Sequence, residues 1–224
     1  RFQEQDLNRL WKQKNNEALS AGTFEPSNED EEQQLELHDI IKNLLATKSG
    51  PFYFFDLHTT SSVTAPFLTV NDSLLNRKFT QQYPVPMILG IEEFLDGPLL
   101  SYINELGYVS FGFESGQHDD IASIKNHIAF TYLSLAFAGA VKRGDIEFQQ
   151  HFDALDHMPD HIYEIYYQYH IGANENFSMQ PGFVNFQSVS KRQELAISDN
   201  KPILATAKSI IFMPLYQAKG TDGY

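Results

Sequence analysis

Asp56 and His58 stand two positions apart in FFDLHTTSS, residues 54–62. In an extended chain, residues two apart share a face, so this carboxylate and imidazole project together. That is the arrangement of a metal-ligating histidine, with one ring nitrogen on the ion and the other donating to an acceptor behind it. It equally suits a histidine held by a carboxylate for packing alone. A second acid, Glu114 in GFESG, ends another apolar run, with a glycine two positions away on each side. An acid so placed can act as a general base; the plainer alternative is a loop acid facing solvent. The third group is RFQEQDLNR, residues 1–9. Here Arg1, Asn8 and Arg9 offer two guanidinium forks and an amide suited to a carboxylate. Asp6 offers a competing role, a structural ion pair with either arginine.

The elements that must position these groups follow from periodicity. Residues 28–46 read as a helix capped by Ser27 or Asn28, with Glu29, Asp30, Glu31 and Glu32 as a solvated first turn. Its apolar stripe runs through Leu35, Leu37, Ile40, Ile41, Leu44 and Leu45, and Ser49-Gly50-Pro51 stops it. PFYFFDLH, 51–58, reads as a strand buried on both faces. A helical pattern covers 85–106, a second strand 108–116, and the longest helix 119–141, with Ile121, Ile124, Ile128, Leu133, Leu135 and Phe137 as apolar positions. After about 150, HIYEIYYQYHI, FVNFQSV, ELAI and SIIFMPLY are short strand candidates between turns. Residues 1–150 therefore read as an α/β domain and 151–224 as a smaller all-β domain, with 145–160 as the connecting region. In open α/β sheets, ligands bind at the carboxyl ends of the strands, where Asp56, His58 and Glu114 fall.

Composition narrows the functions. The 224 residues carry a net charge of −13, which argues against a phosphate-neutralising nucleic-acid surface. With no cysteine, a metal site must use His, Asp or Glu. No apolar run reaches the ~18 residues of a membrane span. The start, RFQEQDLNRLW, has neither the basic head nor the apolar centre of a signal peptide. A cytoplasmic protein is expected. The start also lacks Met and reads like the middle of a longer sequence.

Taken in order, DLNR, DLHTT, GFES, MQPGFVNFQSV and MPLYQAKGTDGY resemble the succinylglutamate desuccinylase/aspartoacylase family, related in fold to the zinc carboxypeptidases. The resemblance spans nearly the whole chain. It implies an α/β domain with a mixed sheet flanked by helices, followed by a smaller all-β domain that caps the cleft. It implies one Zn2+ per subunit, with His58 as the third ligand and Asp56 as its partner. Glu114 becomes the acid that activates a zinc-bound water. Asn8 and Arg9 become the binders of a substrate carboxylate, and Arg1 the group that polarises the scissile carbonyl. Tyr216 and Tyr224 become substrate contacts from the C-terminal side. The implied reaction is hydrolysis of an N-acyl amino acid or a similar small carboxylate-bearing amide. A homo-oligomer is open. A carboxypeptidase acting on peptides, or a metal-free binding protein on the same scaffold, are the alternatives.

The sequence departs from the family in one respect. The H-x-x-E that supplies the other two zinc ligands does not precede DLNR, and those ligands are expected upstream of Arg1. The H-x-x-E that does occur, His161 to Glu164, sits in an alternating segment where positions three apart face opposite sides. It is read as chance. His118 reads as a helix-start residue, Trp11 as packing, and Tyr163, Tyr166, Tyr167 and Tyr169 as sheet packing.

Overall fold

The aromatic runs form a mixed sheet that carries both acidic motifs on one face. The computed structural model describes residues 4–156 and 162–216. The first part contains α1 (Gln13–Ala21), α2 (Glu29–Thr47), β1 (Tyr53–Thr60), β2 (Phe67–Val70), α3 (Leu74–Thr80), β3 (Met87–Leu89), α4 (Leu99–Glu105), β4 (Val109–Gln117), α5 (Ile121–Phe137), α6 (Phe148–Leu155) and β5 (Ile162–Glu164). The second contains β6 (Phe177–Met179), β7 (Ser188–Val189), β8 (Glu194–Ser198), β9 (Lys201–Leu204) and β10 (Ser209–Ile210).

The main sheet runs in the order β1-β4-β2-β3-β5. Its β1–β4, β2–β3 and β3–β5 pairs are parallel, and β2–β4 is antiparallel. Alternation along the strands divides the side chains between two cores. Tyr53 and Phe55 of β1 and Val109, Phe111 and Phe113 of β4 belong to a cluster with Phe79, Tyr83, Phe130 and Leu133. Phe113 stacks on Phe130 of α5 with ring centres 4.2 Å apart and planes 6° apart. Phe54 points the other way, into a cluster with Trp11, Leu19, Tyr102 and Ile103. Trp11 stacks on Tyr102, which settles its packing role.

The structure corrects several sequence expectations. The first strand is not buried on both faces: it pairs only with β4 in the sheet of described residues, and Leu57 is 47% exposed. The segment 85–106 is not one helix. It forms β3, a 3-10 turn and α4, because an apolar run as short as Met87–Leu89 suits strand and helix alike. Gly90 and Gly97, both at positive φ, divide it. On α5, Ile121, Ile124 and Ile128 face solvent, and Ala129, Phe130 and Leu133 meet the sheet. The connecting region holds α6, and β5 continues the main sheet through β3. Neither β2 nor α3 was expected. On α2, Ile40 and Leu44 are exposed and the buried residues are polar, Asp30, Gln34 and His38. Asp30, 2% exposed, is therefore not part of a solvated turn.

The β-rich part has an antiparallel sheet, β6-β8-β9, and a β7–β10 pair around Met179, Phe183, Val189, Leu195, Ala196 and Ile211. Phe67 of β2, fully buried, packs edge-on against Phe186 and Phe212. Asn185, from the PGFVNF motif, ties the part to the loop after β1: its N–H donates to Val63 O and its Nδ2 to Thr64 Oγ1. Among the described residues no helix is long and apolar enough to cross a membrane.

Candidate active site

His58 and Glu114 are register partners across the parallel pair β1 and β4, and Asp56 is the partner of Gly112. Ser110, Gly112 and Glu114 alternate with the core residues Val109, Phe111 and Phe113, so they share the face of Phe54, Asp56 and His58. The glycine at 112 is required by a close approach. A Cβ there would lie 2.3 Å from Thr69 Oγ1 on β2.

The Nε2 of His58 lies 2.9 Å from Asp56 Oδ2. That hydrogen bond holds the His58 pKa above its ordinary value, against desolvation. Burial pushes the Glu114 carboxyl up to about 7, with the His58 charge opposing and Asp56 adding. Glu114 Oε2 is buried without a hydrogen-bond partner. A buried acid with an unpartnered oxygen is a group awaiting a donor, unlike a solvated loop acid.

The DLNR segment is fixed by polar contacts. Asp6 accepts the N–H of Asn8 and caps a short 3-10 turn, Leu7–Arg9, in place of the ion pair weighed above. The buried Asp30 carboxylate accepts the N–H groups of Glu4 and Gln5 at 2.7 and 2.8 Å. One helical turn on, Gln34 donates to Leu10 O at 2.9 Å. The polar face of α2 thus holds residues 4–10 in place. Asn8 Oδ1 accepts the N–H of Leu99, and Arg9 Nη1 donates to Asn8 O.

These groups share one cavity of about 1070 Å³, lined by Asp6, Asn8, Arg9, Asp56, His58 and Glu114 together with apolar residues from both parts of the chain. Of the expected site residues, the structure brings Asn8, Arg9, Asp56, His58 and Glu114 together. Tyr216 is not among the cavity residues: its hydroxyl accepts the N–H of Phe183 and donates to Gln180 O within the β-rich part. Arg1, Tyr224 and His161 lie outside the described residues. His118 is not among the cavity residues, but its Nδ1 lies 2.7 Å from Oγ1 of Thr59, which is, and Asp120 caps α5. Tyr163, Tyr166 and Tyr167, expected to pack in a sheet, line the cavity, and so do Thr69, Gly112 and Glu164. Gly112 was legible as a site residue, since it stands two positions before Glu114 on the same strand face.

For a metal, the donor chemistry fits in part. An imidazole braced by a carboxylate beside a buried acid is suited to one ligand position. Among the described residues no group of three His, Asp or Glu side chains is placed to hold a metal ion.

The fold is that of solved succinylglutamate desuccinylase and aspartoacylase-like structures. The succinylglutamate desuccinylase of Vibrio cholerae aligns with a TM-score of 0.63 and 16% identity over 100% of this chain and 64% of its own. The succinylglutamate desuccinylase/aspartoacylase of Rhodobacter sphaeroides aligns with 0.61 and 14%, over 98% of this chain and 65% of its own. The ectoine utilization protein EutE (DoeB) of Ruegeria pomeroyi, with product bound, aligns with 0.61 and 14%, over 85% and 60%. This chain thus spans just under two thirds of the length of these proteins. No family model matches the sequence, and no curated protein matches it.

Proposed function

We propose that the protein is a zinc-dependent hydrolase that cleaves the amide bond of an N-acyl amino acid or a similar small carboxylate-bearing substrate. The observation that carries this reading is the shared cavity, lined by a braced imidazole, by a buried carboxylate with a free oxygen and by Arg9. The fold, shared with desuccinylase and aspartoacylase-like structures, supports the same class.

Each residue has a defined task. Asp56 orients His58 by holding Nε2, which leaves Nδ1 as the nitrogen free to ligate. His58 would supply one ligand of a Zn2+ ion whose other ligands come from outside the described residues. Such an ion, when bound, supplies an acidified water and a Lewis acid. Glu114 takes a proton at its carboxylate and returns it to the leaving amine, a task suited to an acid whose pKa burial has moved towards neutrality. Arg9 binds the substrate carboxylate. Asn8 assists through Nδ2, its Oδ1 being held by Leu99. A strongly acidic protein repels anions at long range, so this local cation is needed to hold one.

A metal-free binding protein on the same scaffold is the second reading, since a carboxylate-held histidine beside a cavity also suits ligand binding without an ion. One experiment separates the two. The protein as encoded by its gene is assayed for amine release from N-acyl amino acids, with metal content measured before and after chelation. The hydrolase reading expects bound zinc and release that chelation stops and zinc restores. Tight binding of the same compounds with no release and no zinc would favour the binding protein.

A further inference from the structure

We propose that the amino-acid half of the substrate carries an apolar side chain, aromatic or branched, and no second carboxylate. This rests on the reading of Arg9 as the carboxylate anchor.

The surroundings of Arg9 carry the inference. The segment 91–100 is fixed directly against DLNR: Trp11 N–H donates to Gly97 O at 3.0 Å, and Leu99 N–H to Asn8 Oδ1 at 2.9 Å. At Gly97 the backbones approach so closely that a Cβ would lie 2.5 Å from Arg9 O. From this same segment Ile91, Phe94, Leu95, Pro98 and Leu100 line the cavity, each half-buried and so with surface left to cover. A substrate anchored on Arg9 by its carboxylate places its side chain one bond away, within reach of this wall. Apolar surface there gains by being removed from water, whereas a carboxylate would lose its hydration without a partner.

The charges point the same way. Arg9 is the one Lys or Arg among the described residues of the cavity, and Asp6, Asp56, Glu114 and Glu164 supply four carboxylates. Once Arg9 is engaged, no second Lys or Arg among the described cavity residues is left to pair another substrate carboxylate. The volume, about 1070 Å³, lies at the upper end of small-molecule sites and leaves room for a bulky group.

The test compares N-acetyl derivatives of Phe, Leu, Ala, Asp and Glu, by kcat/KM with the zinc-supplemented protein as encoded by its gene. Equilibrium binding to Glu114→Gln is measured in parallel. The Phe and Leu derivatives are expected to exceed the Asp and Glu derivatives by about tenfold or more in both readouts. Phe94→Ala is expected to lower the Phe derivative by about tenfold and leave the Ala derivative within about threefold. A preference for the Asp or Glu derivative, or equal use of all five, overturns the inference and leaves the hydrolase reading standing. Binding in the expected order without release keeps the inference and removes the hydrolysis. Neither binding nor release with any of the five overturns both.

Discussion

Glu114 sits directly opposite His58 across two parallel strands, and the two titrate in the same cavity. In the metal-free protein this sets how stability depends on pH. An unfolded glutamate releases its proton near 4.5, whereas buried Glu114 keeps it to about 7. The folded state therefore binds more protons between those values, and stability falls as pH rises through that window. The interval corresponds to on the order of 3 kcal/mol. The raised pKa of His58 has the same sign: its contribution is present below 6.5 and is lost as pH rises through its folded value. Denaturant melts of metal-free protein from pH 4.5 to 8 are expected to show this decline, and Glu114→Gln to remove most of it. Parallel curves for the two proteins would contradict the assignment.

Asp56 holds His58 Nε2 at 2.9 Å. Asp56→Asn removes the charge and keeps the shape. The His58 pKa is then expected to fall, followed by NMR titration of the ring protons in metal-free protein. Zinc affinity is expected to weaken by about 10–100-fold, the usual effect of losing such a brace. An unmoved His58 titration would show that another group holds the ring.

Asp30 fixes the segment that carries Arg9 through two charge-assisted bonds to backbone N–H groups. Asp30→Ala leaves those donors unpaired and is expected to cost about 2–3 kcal/mol in denaturant unfolding. Kinetically it is expected to raise KM for carboxylate-bearing substrates with kcat little changed, because the displaced group, Arg9, is proposed to bind substrate and to move no proton. A fall in kcat with KM unchanged would place Asp30 in the chemistry.

Gly112 and Thr69 meet too closely for a Cβ at 112. Gly112→Ala is expected to destabilise by about 1–3 kcal/mol. Thr69→Ala in the same chain is expected to recover most of that loss. Additive losses in the double variant would show that the contact is not the cause.

How far the site was legible depended on how local it was. The alternation that puts Asp56 with His58 is a property of a single strand, and both face the cavity. The expectation that Asn8 and Arg9 join them came from motif order alone, and the fold brings them to the cavity. The means by which it does so was hidden. The fully buried residues of α2 are polar, Asp30, Gln34 and His38; of its apolar stripe, Leu35, Leu37 and Ile41 pack against the Trp11 cluster and Ile40 and Leu44 face solvent, so apolar periodicity finds only part of the buried face. Apolar spacing also merged β3 with α4, where burial in a sheet overrides a helical-looking pattern, and on α5 it did not separate the buried Leu133 from the exposed Ile121, Ile124 and Ile128. Tyr163 does pack as read, on β5 against Phe186, and also lines the cavity; Tyr166 and Tyr167 were read as packing because nothing local marks a tyrosine as lining a cavity formed by distant segments.

The most direct test is turnover of Glu114→Ala measured together with its zinc content, in the protein as encoded by its gene. In the proposed mechanism Glu114 moves the proton and does not hold the ion. Amine release is therefore expected to fall by about 10²–10⁴-fold, with zinc bound to nearly the same extent as before. Near-normal turnover in the zinc-loaded variant would contradict the account.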